Sequence, residues 1–71
     1  MNKKKWSLYE YAVIEDPHGC GWYYEIYTDD VDYINWMRTN ILRSSDEWFD
    51  SEAQAGFAAI GHISLLENGE G

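Results

Sequence analysis

The sequence is poor in the features that cross-link a chain, anchor it in a membrane or perform chemistry. A single cysteine, Cys20, excludes an intrachain disulfide, so a reducing, cytoplasmic setting is expected. No apolar run approaches the roughly 18 residues needed to span a bilayer. The basic start MNKKKW is followed by neither the hydrophobic stretch nor the cleavage site of a leader. Basic charge is scarce: five Lys and Arg stand against thirteen Asp and Glu, a net charge of −8. Three of those five are Lys3, Lys4 and Lys5, so from Trp6 onward thirteen acidic residues face two basic ones, a net −11. Such a body is repelled by DNA, RNA and anionic membrane and attracted to cationic surfaces.

Aromatic residues are abundant, twelve Trp, Tyr and Phe in 71, which separates this chain from acidic disordered sequences. It should fold as one domain over residues 6–67, with a basic tail at 1–5 and a short tail at 68–71. The segment WSLYEYAVIE has strand composition, and Glu10 between Leu8 and Ala12 marks the wetter parity, leaving Tyr9, Tyr11 and Val13 for the core. WYYEIYT reads as a second strand, with Trp22, Tyr24 and Ile26 inward and Tyr23, Glu25 and Tyr27 on the wetter face. After the polar DDVD, the segment YINWMRTNILRSS predicts a third strand with Ile34 and Trp36 on the wetter face beside Arg38. A bulge would keep that segment one strand; a turn at Thr39 and Asn40 would make 41–43 a fourth.

Ser51 with Gln54 three residues on is a capping-box pattern, and Asp50 and Glu52 suit the positive end of a helix dipole. A helix over 51–67 is expected, stopped at Asn68 and Gly69. Its core stripe would contain Ala53, Gly56, Phe57, Ala59, Ile60, Ile63 and Leu66. The opposite side, Ala55, Ala58, His62 and Leu65, either meets a second surface or is an ordinary alanine-rich exposed face. The expected class is α+β: an antiparallel three- or four-stranded sheet with one C-terminal helix on one face, in the order β-β-β-α.

Two stretches invite a chemical reading. In EDPHGCGW, Asp16, His18 and Cys20 fall within five positions, yet a zinc site needs four ligands, or three plus water. Here Cys20 has no second cysteine, and His62 is the only other histidine. A thiol nucleophile would need a base, an orienting group and a cleft. The favoured reading is a reversal, with Pro17, Gly19 and Gly21 bending the chain and Asp16 bonding backbone amides. In DDVD the alternation of an EF-hand is absent, and the twelfth residue from Asp29 or Asp30 is Asn40 or Ile41 rather than Glu. Neither stretch supports an enzyme, a cofactor or a metal, though a thiol or metal site at Cys20 and His18 stays as a minor alternative.

In an up-and-down order the turns alternate between two ends. One end gathers Glu15, Asp16, Asp46, Glu47, Asp50 and Glu52; the other gathers Asp29, Asp30, Asp32, Glu67 and Glu70. A strand of about eight residues, roughly 25 Å, would separate them. One helix leaves one sheet face wet, and that face would carry Leu8, Tyr23, Tyr27, Ile34 and Trp36. The expected role is therefore that of a non-enzymatic module meeting a basic protein surface. Asp29, Asp30, Asp32, Asp46, Glu47 and Asp50 would steer it, and Tyr23, Tyr27 and Trp36 would anchor it. The alternative is a homodimer joined through the aromatic face or the alanine-rich helix back, with acidity serving solubility.

Tyr24, Glu25, Ile26 and Tyr27, then Asn40, Ile41, Ser44, Ser45, Phe49, Ser51, Ala55 and Ile60, form a pattern that resembles the small bacterial YegP-like domains over about half the chain. The glycine of that pattern after Asn40 is Ile41 here. The resemblance implies a strand-rich sheet with one helix, often dimeric or tandem, and no activity. In size and acidity the chain is also similar to phage-encoded inhibitors of bacterial defence, including anti-CRISPR proteins, a likeness of charge and length without a residue motif.

Overall fold

The computed structural model describes residues 3–6 and 8–70. An antiparallel sheet runs in the order β1 (Lys3–Trp6), β2 (Tyr9–Glu15), β3 (Trp22–Tyr27) and β4 (Ile41–Ser44). Helix α1 (Val31–Met37) lies between β3 and β4, and helix α2 (Glu52–Glu67) closes the chain against one face. The class is α+β, with a four-stranded sheet and a C-terminal helix. Of the expected tails, Met1, Asn2 and Gly71 lie outside the described residues, as does Ser7 of the first predicted strand.

The central hairpin follows from the sequence. Tyr11 pairs with Ile26 and Val13 with Tyr24, so the alternate apolar residues of both strands share the helix-facing side. Asp16 and Gly21 close the reversal through Asp16 N–H to Gly21 O at 2.8 Å, with Gly19 and Gly21 at φ 83° and 124°.

Three expectations need correction. Lys3, Lys4 and Lys5 are not a tail: they form most of edge strand β1, with Lys4 opposite Tyr11 and Trp6 opposite Tyr9. The aromatic and β-branched residues over 31–37 do not make a strand. Local cap chemistry outweighs strand propensity there. The Asp30 side chain caps the Asp32 amide at 3.0 Å, Asp32 sits in the first turn, and Arg38 ends the helix in the left-handed region at φ 62°. Only 41–44 is a strand, and neither a bulged long strand nor a tight turn at Thr39 and Asn40 is formed; a bulge does occur where β3 pairs with β4, at Ile26 and Tyr27.

The third correction is the rotation of α2. Its ends are as expected: Ser51 accepts from the Gln54 amide at 3.2 Å, Gln54 Oε1 accepts from the Asp50 amide at 3.1 Å, and Gly69 follows the Asn68 cap at φ 80°. Its buried line, however, is Ala55, Ala59 and Ile63, while Ala53 is exposed and Phe57 is 76% exposed. The packed side is thus turned part of the way toward the expected back: Ala59 and Ile63 are buried as expected, Ala55 joins them, Ala58 and His62 are half-buried, and Leu65 is left outside. Small residues win this side because the sheet presents the large rings of Tyr11 and Tyr24, which need room beneath the helix. Tyr11, Tyr24, Ile26, Ala59 and Ile63 form the core. Ile26 and Ile63 are fully buried, each worth about 1.5–3 kcal/mol of transfer free energy.

Candidate partner-binding surface

At the first reversal, Asp16 Oδ2 accepts from the backbone amides of His18 (3.1 Å) and Cys20 (3.0 Å), fixing the bend. Chiefly the Cys20 amide bond holds the Asp16 carboxyl below its ordinary value. The same carboxylate, by hydrogen bonding and by charge, pushes the exposed Cys20 thiol up. That is the reverse of the electropositive setting that activates a thiolate. His18 Nδ1 lies 3.7 Å from Asp16 Oδ1, and no group of three potential metal ligands occurs among the described residues.

The 45–51 loop is bound to β3 at both of its shoulders. Ser45 N–H donates to Tyr24 O at 2.9 Å, and the Tyr24 amide donates to Ser45 Oγ at 3.2 Å. Four residues on, Trp22 and Phe49 exchange backbone bonds of 2.9 and 2.7 Å. Gly21 makes this closeness possible: a Cβ there would sit 2.6 Å from Phe49 O. Between the two attachments, Asp46, Glu47 and Trp48 project, all exposed, and the Trp48 ring meets Tyr23 edge-on at 5.2 Å and 90°. Ser45 Oγ donates to Glu47 O at 3.1 Å, closing the loop on itself. Burial first, then the negative charges of Asp46 and Glu47, push the Tyr24 hydroxyl up, so the field of these carboxylates reaches the helix-facing side of the sheet. There Tyr24 Oη bonds His62 Nδ1 at 2.8 Å and joins β3 to α2.

At the opposite end of β3, Asp29, Asp30 and Asp32 are exposed. Helix α1 follows with no buried residue, and Trp36 is 79% exposed beside half-exposed Met37. Tyr33 reaches back to donate to Ile41 O at 3.1 Å. Six residues of β3 separate the two acidic ends, about 20 Å at roughly 3.3 Å per residue; the expected 25 Å shortens accordingly.

The aromatic patch expected on the uncovered sheet face is not assembled. Tyr27 is only 6% exposed: the Lys3 ammonium lies 4.4 Å from its ring centroid, and its hydroxyl donates to Glu25 at 2.8 Å. Burial, then that hydrogen bond, drives its hydroxyl far up. Tyr23 stays half-buried, while Ile34, Trp36 and Arg38 belong to α1 and its cap rather than to the sheet. The structure therefore groups Tyr23 with Asp46 and Glu47, groups Trp36 with Asp29, Asp30 and Asp32 in one segment, places Asp50 at the base of α2, and takes Tyr27 out of contact. The two surfaces expected for a homodimer are each reduced: Ala55 of the helix back is buried, and Tyr27 is covered. Trp48 is the residue that sequence reasoning missed. Its signal was its place in SSDEWFD, an aromatic between the acidic pair Asp46 and Glu47 and the single Asp50 at a helix entry.

No helix among the described residues is long and apolar enough to cross a membrane. No protein-family model, curated protein or solved structure matches this chain, so the case for this surface rests on its own geometry and charge.

Proposed function

We propose that the chain is a non-enzymatic, acidic protein-binding module, an inhibitor or adaptor that docks on the basic, nucleic-acid-binding surface of a partner protein. In that role it would act as a mimic of nucleic acid, in the manner of phage anti-defence proteins. The observation that carries this reading is the repeated pairing of carboxylates with an exposed tryptophan. Asp46 and Glu47 adjoin Trp48 on one side of the sheet's length; Asp29, Asp30 and Asp32 precede Trp36 on the other. Carboxylates supply long-range attraction and register, and indole rings supply apolar area that survives desolvation.

The test is capture from cell extract on the immobilised chain, eluted with a salt series and identified by mass spectrometry. Nucleic-acid-binding proteins released progressively between about 50 and 200 mM salt are the expected result, because the contact replaces phosphate contacts of the same screening behaviour. A retained set that is indifferent to salt overturns the reading.

A further inference from the structure

Beside the 45–51 loop lies a cavity of about 270 Å³ lined by Tyr23, Ser44, Ser45, Asp46, Glu47 and Trp48. Its volume falls below the roughly 300–1,000 Å³ of sites that enclose drug-sized molecules or cofactors, which suits the head of one side chain. The wall chemistry is specific. Two aromatic rings stand at right angles, offering a π face and an edge within 5.2 Å, and two exposed carboxylates border them. Neither carboxylate has a cationic partner among the described residues. The cavity is also held in shape before any ligand arrives, since Ser45 and Phe49 tie both shoulders of the loop to β3.

We infer that this pocket receives an arginine side chain of the partner, the guanidinium lying against Trp48 and Tyr23 while Asp46 and Glu47 accept its N–H donors. The inference rests on the protein-binding reading above and gives it a specific contact. Arginine fits better than lysine for physical reasons. Its planar, weakly hydrated head stacks on an aromatic face and forks onto a carboxylate, whereas an ammonium is a compact, strongly hydrated point charge.

The test is an NMR titration of the full chain with three end-blocked amino acids: N-acetyl-arginine amide, its lysine counterpart and its citrulline counterpart. The Trp48 indole N–H signal, assigned with Trp48→Phe, is the readout. A saturable shift with the arginine probe is expected, roughly tenfold weaker with lysine and absent with citrulline, which keeps the shape but loses the charge. The Asp46→Asn/Glu47→Gln double variant, which alters only exposed groups and should retain the parent's amide spectrum elsewhere, should lose the arginine response. No saturable Trp48 shift, an equal response to citrulline or lysine, or a response that survives the double variant overturns the inference. If the arginine response is missing while salt-released capture persists, the pocket assignment fails alone and the docking reading stands.

Discussion

At the loop end of the sheet, Asp46, Glu47 and Trp48 are presented by a segment bonded to β3 at Ser45 and Phe49, with the indole seated on Tyr23. At the other end, Asp29, Asp30, Asp32 and Trp36 are presented in and just before a seven-residue helix that has no fully buried residue and is held by its own caps and by Tyr33. A helix of that length has little stability of its own. The two ends carry similar residues but differ in what the proposed docking would still have to order. The loop end is built beforehand and should contribute specificity, while α1 loses more freedom on contact and should contribute chiefly attraction.

The most damaging way to break this difference is at Gly21. Gly21→Ala places a methyl group against Phe49 O in a backbone conformation that disfavours side chains. The expected loss is about 3 kcal/mol, against about 1 kcal/mol for Gly19→Ala, where nothing lies within 4 Å of the added atom. Urea titration of both variants measures the pair. A total stability of only about 3–5 kcal/mol is expected for a core of this size, so Gly21→Ala should retain about 0–2 kcal/mol and Gly19→Ala about 2–4 kcal/mol. Ser51→Ala should cost about 1 kcal/mol globally through the loss of the α2 cap.

A milder change at the other end should remain local. Asp30→Ala removes the α1 cap. Amide exchange should accelerate within 31–37 while the global melting midpoint holds, because no α1 side chain is part of the core. A drop in the midpoint comparable to that of Ser51→Ala would show that α1 is integral to the fold and would erase the contrast between the ends.

The contrast is sharpened by neutralising each acidic set in turn. Asp46→Asn/Glu47→Gln/Asp50→Asn and Asp29→Asn/Asp30→Asn/Asp32→Asn should both flatten the dependence of capture on salt. Only the loop set should also weaken capture at high salt, where steering is screened and the fitted contact remains. Equal behaviour of the two sets would deny the loop its special part.

The smallest expected effect is that of pH on the first reversal. The Asp16 carboxyl has a folded pKa below its ordinary value of 3.8, so its contribution is present above that value and is lost as pH falls through the lower folded value. Thermal melts of Asp16→Asn and the parent chain should converge below pH 3.8 and separate above it. The separation is small because it comes from two hydrogen bonds to exposed backbone amides in one turn.

The central hairpin and the span of α2 were legible from sequence because local chemistry and tertiary need agree there: alternating aromatics, a turn of Asp16, Gly19 and Gly21, and the Ser51–Gln54 cap; β4 was one of two open readings of its segment. At 31–37 they disagree. Tyr33, Ile34 and Trp36 favour a strand by type, but the Asp30 cap and the need to cross from β3 to β4 select a helix. The face of α2 was read correctly at Ala59 and Ile63 and misread at Ala55 and Phe57, where size decided it rather than hydrophobicity. Phe57 lies outside, and the small Ala59 packs with the rings of Tyr11 and Tyr24 instead. β1 was hidden by its lysines, whose charge suits a solvent-facing edge strand as well as it suits a tail. Of the candidate surface, the acidic positions could be read from the turns. The Tyr23–Trp48 pairing could not, because it depends on the Trp22–Phe49 bridge, a long-range contact without a local signature. Ser45, Phe49 and Ser51, three of the residues behind the expected resemblance to YegP-like domains, here serve the loop and the α2 cap.

The most direct test is competition with duplex DNA for a captured partner at fixed ionic strength. If the chain docks where nucleic acid binds, added DNA should displace the partner from the chain in proportion to concentration, and added chain should displace it from DNA. A captured partner that holds DNA and this chain at the same time, neither weakening the other, would contradict the account.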